Sequence, residues 1–136
     1  MYATKKMVPA AVGVAGLTLA SLGTVGSGPA NAAATCQLSV DSNRVLNLQD
    51  RGTNDEIFFK LGSNRTPVVQ YNLGDKVNNI GTEVFQGSID LKVFERDPNN
   101  LTLVGTLNNI PCQNEPGELD DVSGAGALYR VRWSVQ

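Results

Sequence analysis

No histidine occurs among the 136 residues of this chain. That excludes Ser-His-Asp and Cys-His nucleophilic catalysis, and any zinc or copper site built on imidazole. The two methionines, Met1 and Met7, both stand at the N-terminal end, so the remainder has no methionine-based copper site either. Neither Gly-x-x-x-x-Gly-Lys nor Gly-x-Gly-x-x-Gly is present, so no phosphate-cradling loop points to a nucleotide. The two cysteines are not spaced as Cys-x-x-Cys, and there is no second pair to complete a zinc site. A pair of carboxylates acting as acid and base is a hydrolytic chemistry that these absences leave open. A small domain without a deep cleft argues against it, and the chain is expected not to be an enzyme.

What is present begins with Lys5 and Lys6, followed by an uncharged stretch, Met7 to Val25, rich in Ala, Val, Leu and Gly. Gly26-Ser27-Gly28-Pro29 then leads to the small-x-small triplet Ala30-Asn31-Ala32. This is the layout of a secretory signal, expected over residues 1–32 with the cut after Ala32, or after Ala33 or Ala34 in the same run. Gly, Thr, Ser and Pro9 dilute the apolar stretch too far for a retained anchor. Cys36 follows Ala33-Ala34-Thr35, which is not a lipid-attachment box, and no twin arginine is present. The expectation is general secretory export, in a bacterial style, of a secreted protein with no membrane anchor after cleavage. Residues 33–136 then form a single domain, with nine Lys/Arg against thirteen Asp/Glu and a net charge of −4. That balance argues against nucleic acid or an anionic membrane as the main partner.

Cys36 and Cys112 are the only cysteines, one near each end of that domain. In an oxidising compartment they are expected to form one disulfide. A staple across so long a loop is worth about 4–5 kcal/mol by chain-entropy reasoning.

The periodicity is that of strands. Apolar and polar residues alternate in Cys36 to Val40 and in Ser88 to Val93. Tyr129, Val131, Trp133 and Val135 fall on one face of the final segment, with Leu128, Arg130, Arg132 and Ser134 on the other. Asp55 to Leu61, Pro67 to Tyr71, Leu101 to Leu107 and the weaker Thr82 to Phe85 read as further strands. Gly-, Asn-, Asp- and Pro-rich turns separate them, and no window carries a helical stripe. Six to eight short strands in about 100 residues suggest an all-β antiparallel β-sandwich, C2-like or Ig-like. Trp133 is assigned to its core, with an exposed ligand platform as the alternative.

Carboxylates gather beside two turns. Asp50, Asp55 and Glu56 flank Arg51-Gly52-Thr53-Asn54, and Glu95 and Asp97 end the Ile89 to Phe94 strand. Alternate residues at a strand end face the same way, so Glu95 and Asp97 can converge. If the two turns meet, they offer the several oxygens that Ca²⁺ takes; otherwise they are solvated turns. The acidic stretch Asn114 to Asp121 reads as a connection after Cys112: a second cation site, a docking loop for a basic partner, or a solvated link.

Asn47 to Gly62, with Asp50, Asp55 and Ile57-Phe58-Phe59-Lys60-Leu61, resembles the first calcium loop and following strand of C2 domains. Leu91 to Gly105, with Val93-Phe94-Glu95-Arg96-Asp97-Pro98, is similar to their third loop. The resemblance implies an eight-stranded sandwich with calcium-dependent loops, and Asp50, Asp55, Glu95 and Asp97 as the metal ligands. Glu95 stands where the family usually has Asp, and Asn100, Leu101 and Thr102 stand where a further Asp is usual. Asp55 to Lys60, Val93 to Asp97 and the closing Tyr129 to Val135 are also similar to small secreted bacterial β-sandwich proteins. Together these readings lead to a secreted, non-catalytic protein-binding domain with Ca²⁺ ordering its loops. An adaptor subunit of an exported assembly, such as an antibacterial toxin particle, and a secreted enzyme inhibitor are the alternatives.

Overall fold

The computed structural model describes residues 32–49 and 54–136. The chain divides into two units, Met1–Asn31 and Ala32–Gln136, and the described residues belong to the second. The expected signal peptide lies outside the described residues, apart from its last position, Ala32. Among the described residues no helix is long and apolar enough to cross a membrane.

Nine strands follow one another: β1 (Thr35–Asn47), β2 (Asp55–Leu61), β3 (Asn64–Arg65), β4 (Val69–Tyr71), β5 (Lys76–Gln86), β6 (Ser88–Asp97), β7 (Asn100–Pro111), β8 (Glu115–Gly124) and β9 (Ala127–Val135). They form two antiparallel sheets. One runs β5-β1-β9-β8, and the other β3-β2-β6-β7 with β4 also on β2. β3 and β4 pair with opposite ends of β2, so together they make one interrupted edge strand. Pro67 lies in the break, where a residue without an N–H suits an edge. Thr66 bridges the gap: its Oγ1 accepts the Phe59 N–H at 2.9 Å, and its own N–H reaches the Phe59 carbonyl at 2.9 Å. Counted this way the architecture is a sandwich of four strands on four.

The core lies between the sheets. Leu38, Val40 and Val45 of β1, Ile57, Phe59 and Leu61 of β2, Leu91 and Val93 of β6, and Tyr129, Val131 and Val135 of β9 are all buried. Their spacing of two is the reason these segments are strands. β1 departs from it at two places, after Val40 and after Val45, and the first changes which residues face inward. Val40 pairs with Trp133 and Ser42 with Arg132, so Asp41 is an extra residue on β1. The bulge switches the inward phase from Leu38 and Val40 to Asn43 and Val45.

The Cys36–Cys112 disulfide joins the start of β1 to the residue after β7, and thus one sheet to the other. Trp133 is in the core, and its indole N–H donates to Asp120 at 2.8 Å, which excludes the exposed-platform reading. The acidic stretch Asn114 to Asp121 is corrected: from Glu115 it is strand β8, paired along β9, and not a connecting loop. Its alternation is weak because it is an edge strand with charged residues on its open side.

Candidate functional site

The two sequence-predicted strands with carboxylates lie side by side. Ile57 of β2 pairs with Glu95 of β6, so Asp55 and Asp97 stand two residues further along the same neighbouring strands. The turn after β4 and the turn after β6 lie at this end of the sandwich, as does Asn54 just before β2. The disulfide lies at the other end, beside the β5–β6 turn.

Asp55 is completely buried. One carboxylate oxygen, Oδ2, accepts the backbone N–H of Gln49 at 2.9 Å and the hydroxyl of Tyr129. Tyr129 comes from β9 in the opposite sheet, so this hydrogen bond ties the two layers together. The other oxygen, Oδ1, is buried without a hydrogen-bond partner among the described residues. Glu95 is buried next to this pair, and its charge acts on Tyr129 as that of Asp55 does. Burial, then the hydrogen bond to Asp55, then the charges of Asp55, Glu95 and Tyr71 push the Tyr129 hydroxyl far above the ordinary tyrosine range. It stays protonated and donates.

Two further polar groups extend the cluster. Tyr71 ends β4 opposite Asp55 and is raised chiefly by burial, with a contribution from Asp75. Asn43, turned inward by the β1 bulge, acts on Tyr71 in the opposite direction. Both amide atoms of Asn43 and the Tyr71 hydroxyl lack a hydrogen-bond partner of good geometry among the described residues. Desolvated polar atoms of this kind cost about 1–3 kcal/mol each when unmet, so their concentration at one end is a strained feature of an otherwise apolar core.

Asp97 is different. It sits at the mouth, half-exposed, where β6 turns through Pro98-Asn99 into β7. Glu95 and Asp97 line a surface cavity of about 250 Å³ with Asn54, Glu56, Gln70 and Arg96. Glu56 is drawn to the outer face by an ion pair with Arg96 at 3.1 Å. Of the four expected ligands, Glu95 and Asp97 share this cavity and Asp55 lies in the interior beside Tyr129, while Asp50 falls outside the described residues. Among the described residues no three Cys, Asp or Glu side chains gather closely enough to hold a metal ion.

The oxygens at this end come from carboxylates and tyrosine hydroxyls, the atom type that hard cations take. Sequence reasoning placed Tyr129 in the core and left Tyr71 and Asn43 without a role. A tyrosine at a core position was the available signal, because a buried hydroxyl needs a partner.

No protein-family model and no curated protein matches the sequence. Solved structures do match. The tandem C2 domains of Extended-Synaptotagmin 2 superpose with a TM-score of 0.55 at 12% identity, over 97% of this chain and 48% of that one. A structure described simply as a C2 domain gives 0.52 at 17% identity, over 74% and 98%. A structure of CC2D1B gives 0.53 at 11% identity, over 76% of this chain and 55% of that one. The fold is C2-like. At these identities the likeness concerns the fold alone, and the chain spans only about half of two of these structures. The C2-like arrangement does account for the geometry above: two separated stretches of sequence bring Asp55, and Glu95 with Asp97, to one end of the sandwich.

Proposed function

We propose that the protein is an exported, non-catalytic interaction domain whose acidic end takes up Ca²⁺ and whose exposed strand edges meet a protein partner. The observation that carries the cation reading is Asp55 Oδ1, a buried carboxylate oxygen without a hydrogen-bond partner among the described residues, next to buried Glu95. Asp55 and Glu95 would hold the ion, with Asp97 at the mouth and Asp50 from the connection into β2 as the remaining ligands. Ca²⁺ would supply positive charge where two carboxylates are desolvated. Export is supported by the signal-like start and by the disulfide, which suits an oxidising compartment. The partner reading is supported by exposed apolar residues on edge strands: Val84 on β5, Leu101 and Leu103 on β7, and Leu119 on β8. An edge strand can pair with an extended segment of another protein.

Calorimetric titration tests the cation reading. Ca²⁺ is expected to bind with measurable heat, Mg²⁺ more weakly, and Asp55→Asn combined with Asp97→Asn should abolish the Ca²⁺ signal. A signal retained in that double variant would place the ion elsewhere.

A further inference from the structure

The outer face of the β5-β1-β9-β8 sheet carries a second feature, on a different surface from the acidic end. Strand register lines up Lys76 of β5 with Arg44 of β1, and Arg44 with Arg130 of β9. In the adjoining row Ser42 stands next to Arg132, and Arg132 next to Leu119 of β8. Four cations therefore occupy two neighbouring cross-strand rows, in a domain whose expected net charge is −4.

Their partner on this face is Asp121, which grips Arg130 through two hydrogen bonds at 2.7 and 2.8 Å. That grip holds the Arg130 guanidinium in place and lowers the Asp121 carboxyl below its usual range. Arg44, Lys76 and Arg132 are exposed and have no ion pair among the described residues. Arg132 lies against β8 where Gly117 forms part of a bulge: a Cβ at Gly117 would come within 3.2 Å of its guanidinium. The bulge thus leaves room for the guanidinium. Like charges placed directly across strands destabilise a sheet. Asp121 pairs Arg130 within the row, whereas Arg44 and Lys76 have no ion pair among the described residues, and a bound anion would offset their repulsion.

The six side chains Ser42, Arg44, Lys76, Leu119, Arg130 and Arg132 enclose a hollow of about 180 Å³. We propose that this hollow is a binding site for a multiply charged phosphate- or sulfate-bearing group of a small molecule. Planar guanidinium groups present paired N–H donors that match such oxyanions, and the Lys76 ammonium adds a point charge. The Ser42 hydroxyl, nearly buried at the floor, adds a neutral donor, and Leu119 bounds the hollow with an apolar wall. The hollow is open to solvent, so a small charged group can enter it from the outer face of the sheet. None of Asp55, Glu95 and Asp97 lines this hollow.

The test uses the whole protein and inorganic pyrophosphate as probe, at low ionic strength, because such contacts weaken with salt. Calorimetry should show saturable one-site binding. Arg44→Gln and Arg132→Gln should each weaken it by about tenfold, the loss expected for a charge-assisted contact. Arg96→Gln, an equal change of charge on the other sheet, should leave it unchanged. Without pyrophosphate, Arg44→Gln should raise the melting temperature slightly by relieving the cross-strand repulsion, which shows that weaker binding does not come from misfolding. Absence of saturable binding would overturn the proposal. So would equal weakening by Arg96→Gln, which would mark diffuse charge attraction. Binding to anionic lipid vesicles, lost in the Arg44 and Arg132 variants while pyrophosphate fails to bind, would also overturn it and make the ligand a membrane surface.

Discussion

The Tyr129 hydroxyl and the Asp55 carboxylate meet in the interior, each from a different sheet. Tyr129→Phe keeps the ring and removes the donor. It should destabilise the protein by about 1–3 kcal/mol, because it strips a buried carboxylate of a partner. Urea unfolding checks this, and a variant as stable as the parent would show that the bond contributes nothing. The two buried tyrosines also set an alkaline limit. Both are raised in the folded state above the ordinary value of 10.0. Their contribution is complete below that pH and is lost above it, where the unfolded tyrosines ionise and the folded ones do not. A stability profile should fall above about pH 10, and less steeply in Tyr129→Phe. Steric limits act at this scale too: a Cβ at Gly124 would lie 2.0 Å from the Val104 carbonyl oxygen, where β8 passes close to β7. Gly124→Ala must displace backbone, so its unfolding midpoint should drop clearly.

Strands with one clean phase were legible in the sequence. Ser88 to Val93 and Tyr129 to Val135 alternate without interruption, Asp55 to Leu61 carries the apolar run Ile57-Phe58-Phe59, and each is a strand of the structure. Interrupted strands were legible only in part. β1 runs to Asn47, but the Asp41 bulge reverses its phase, and past it the polar Ser42 and Asn43 are buried. β5 begins at Lys76, but Asn79 takes a positive φ of 55° where the register shifts, and its first half does not alternate. β8 hides behind Pro116, Gly117 and four carboxylates, with Val122 its one buried apolar residue. Of the candidate site, Asp55, Glu95 and Asp97 were visible because acidic residues beside turns stand out. Tyr71 and Asn43 were not, because their role comes from strands that are distant in sequence. The disulfide was legible from the cysteine count and spacing together with the export-like start. It closes a separation of 76 residues at the end opposite the acidic site. Reduction should therefore cost up to about 4–5 kcal/mol, by the same amount with or without Ca²⁺. A Ca²⁺-dependent difference in that cost, measured by unfolding with and without reductant, would show that the two ends communicate.

The whole domain combines an apolar, stapled sandwich with a polar interior at one end. Asn43 and Asp55 occupy buried positions in it. Burying them leaves polar atoms unmet, and the proposed ion relieves that cost only in the folded state. Ligand binding restricted to the folded state raises stability by about 2.7 kcal/mol at a hundredfold excess over Kd. The melting temperature of the protein in EDTA, then in millimolar Ca²⁺ and in millimolar Mg²⁺, reads this directly. A rise of several degrees is expected with Ca²⁺, a smaller one with Mg²⁺, and none in the Asp55→Asn, Asp97→Asn double variant. An unchanged melting temperature in Ca²⁺ would contradict the Ca²⁺ reading and reduce the acidic end to a buried hydrogen-bond cluster flanked by solvated turns.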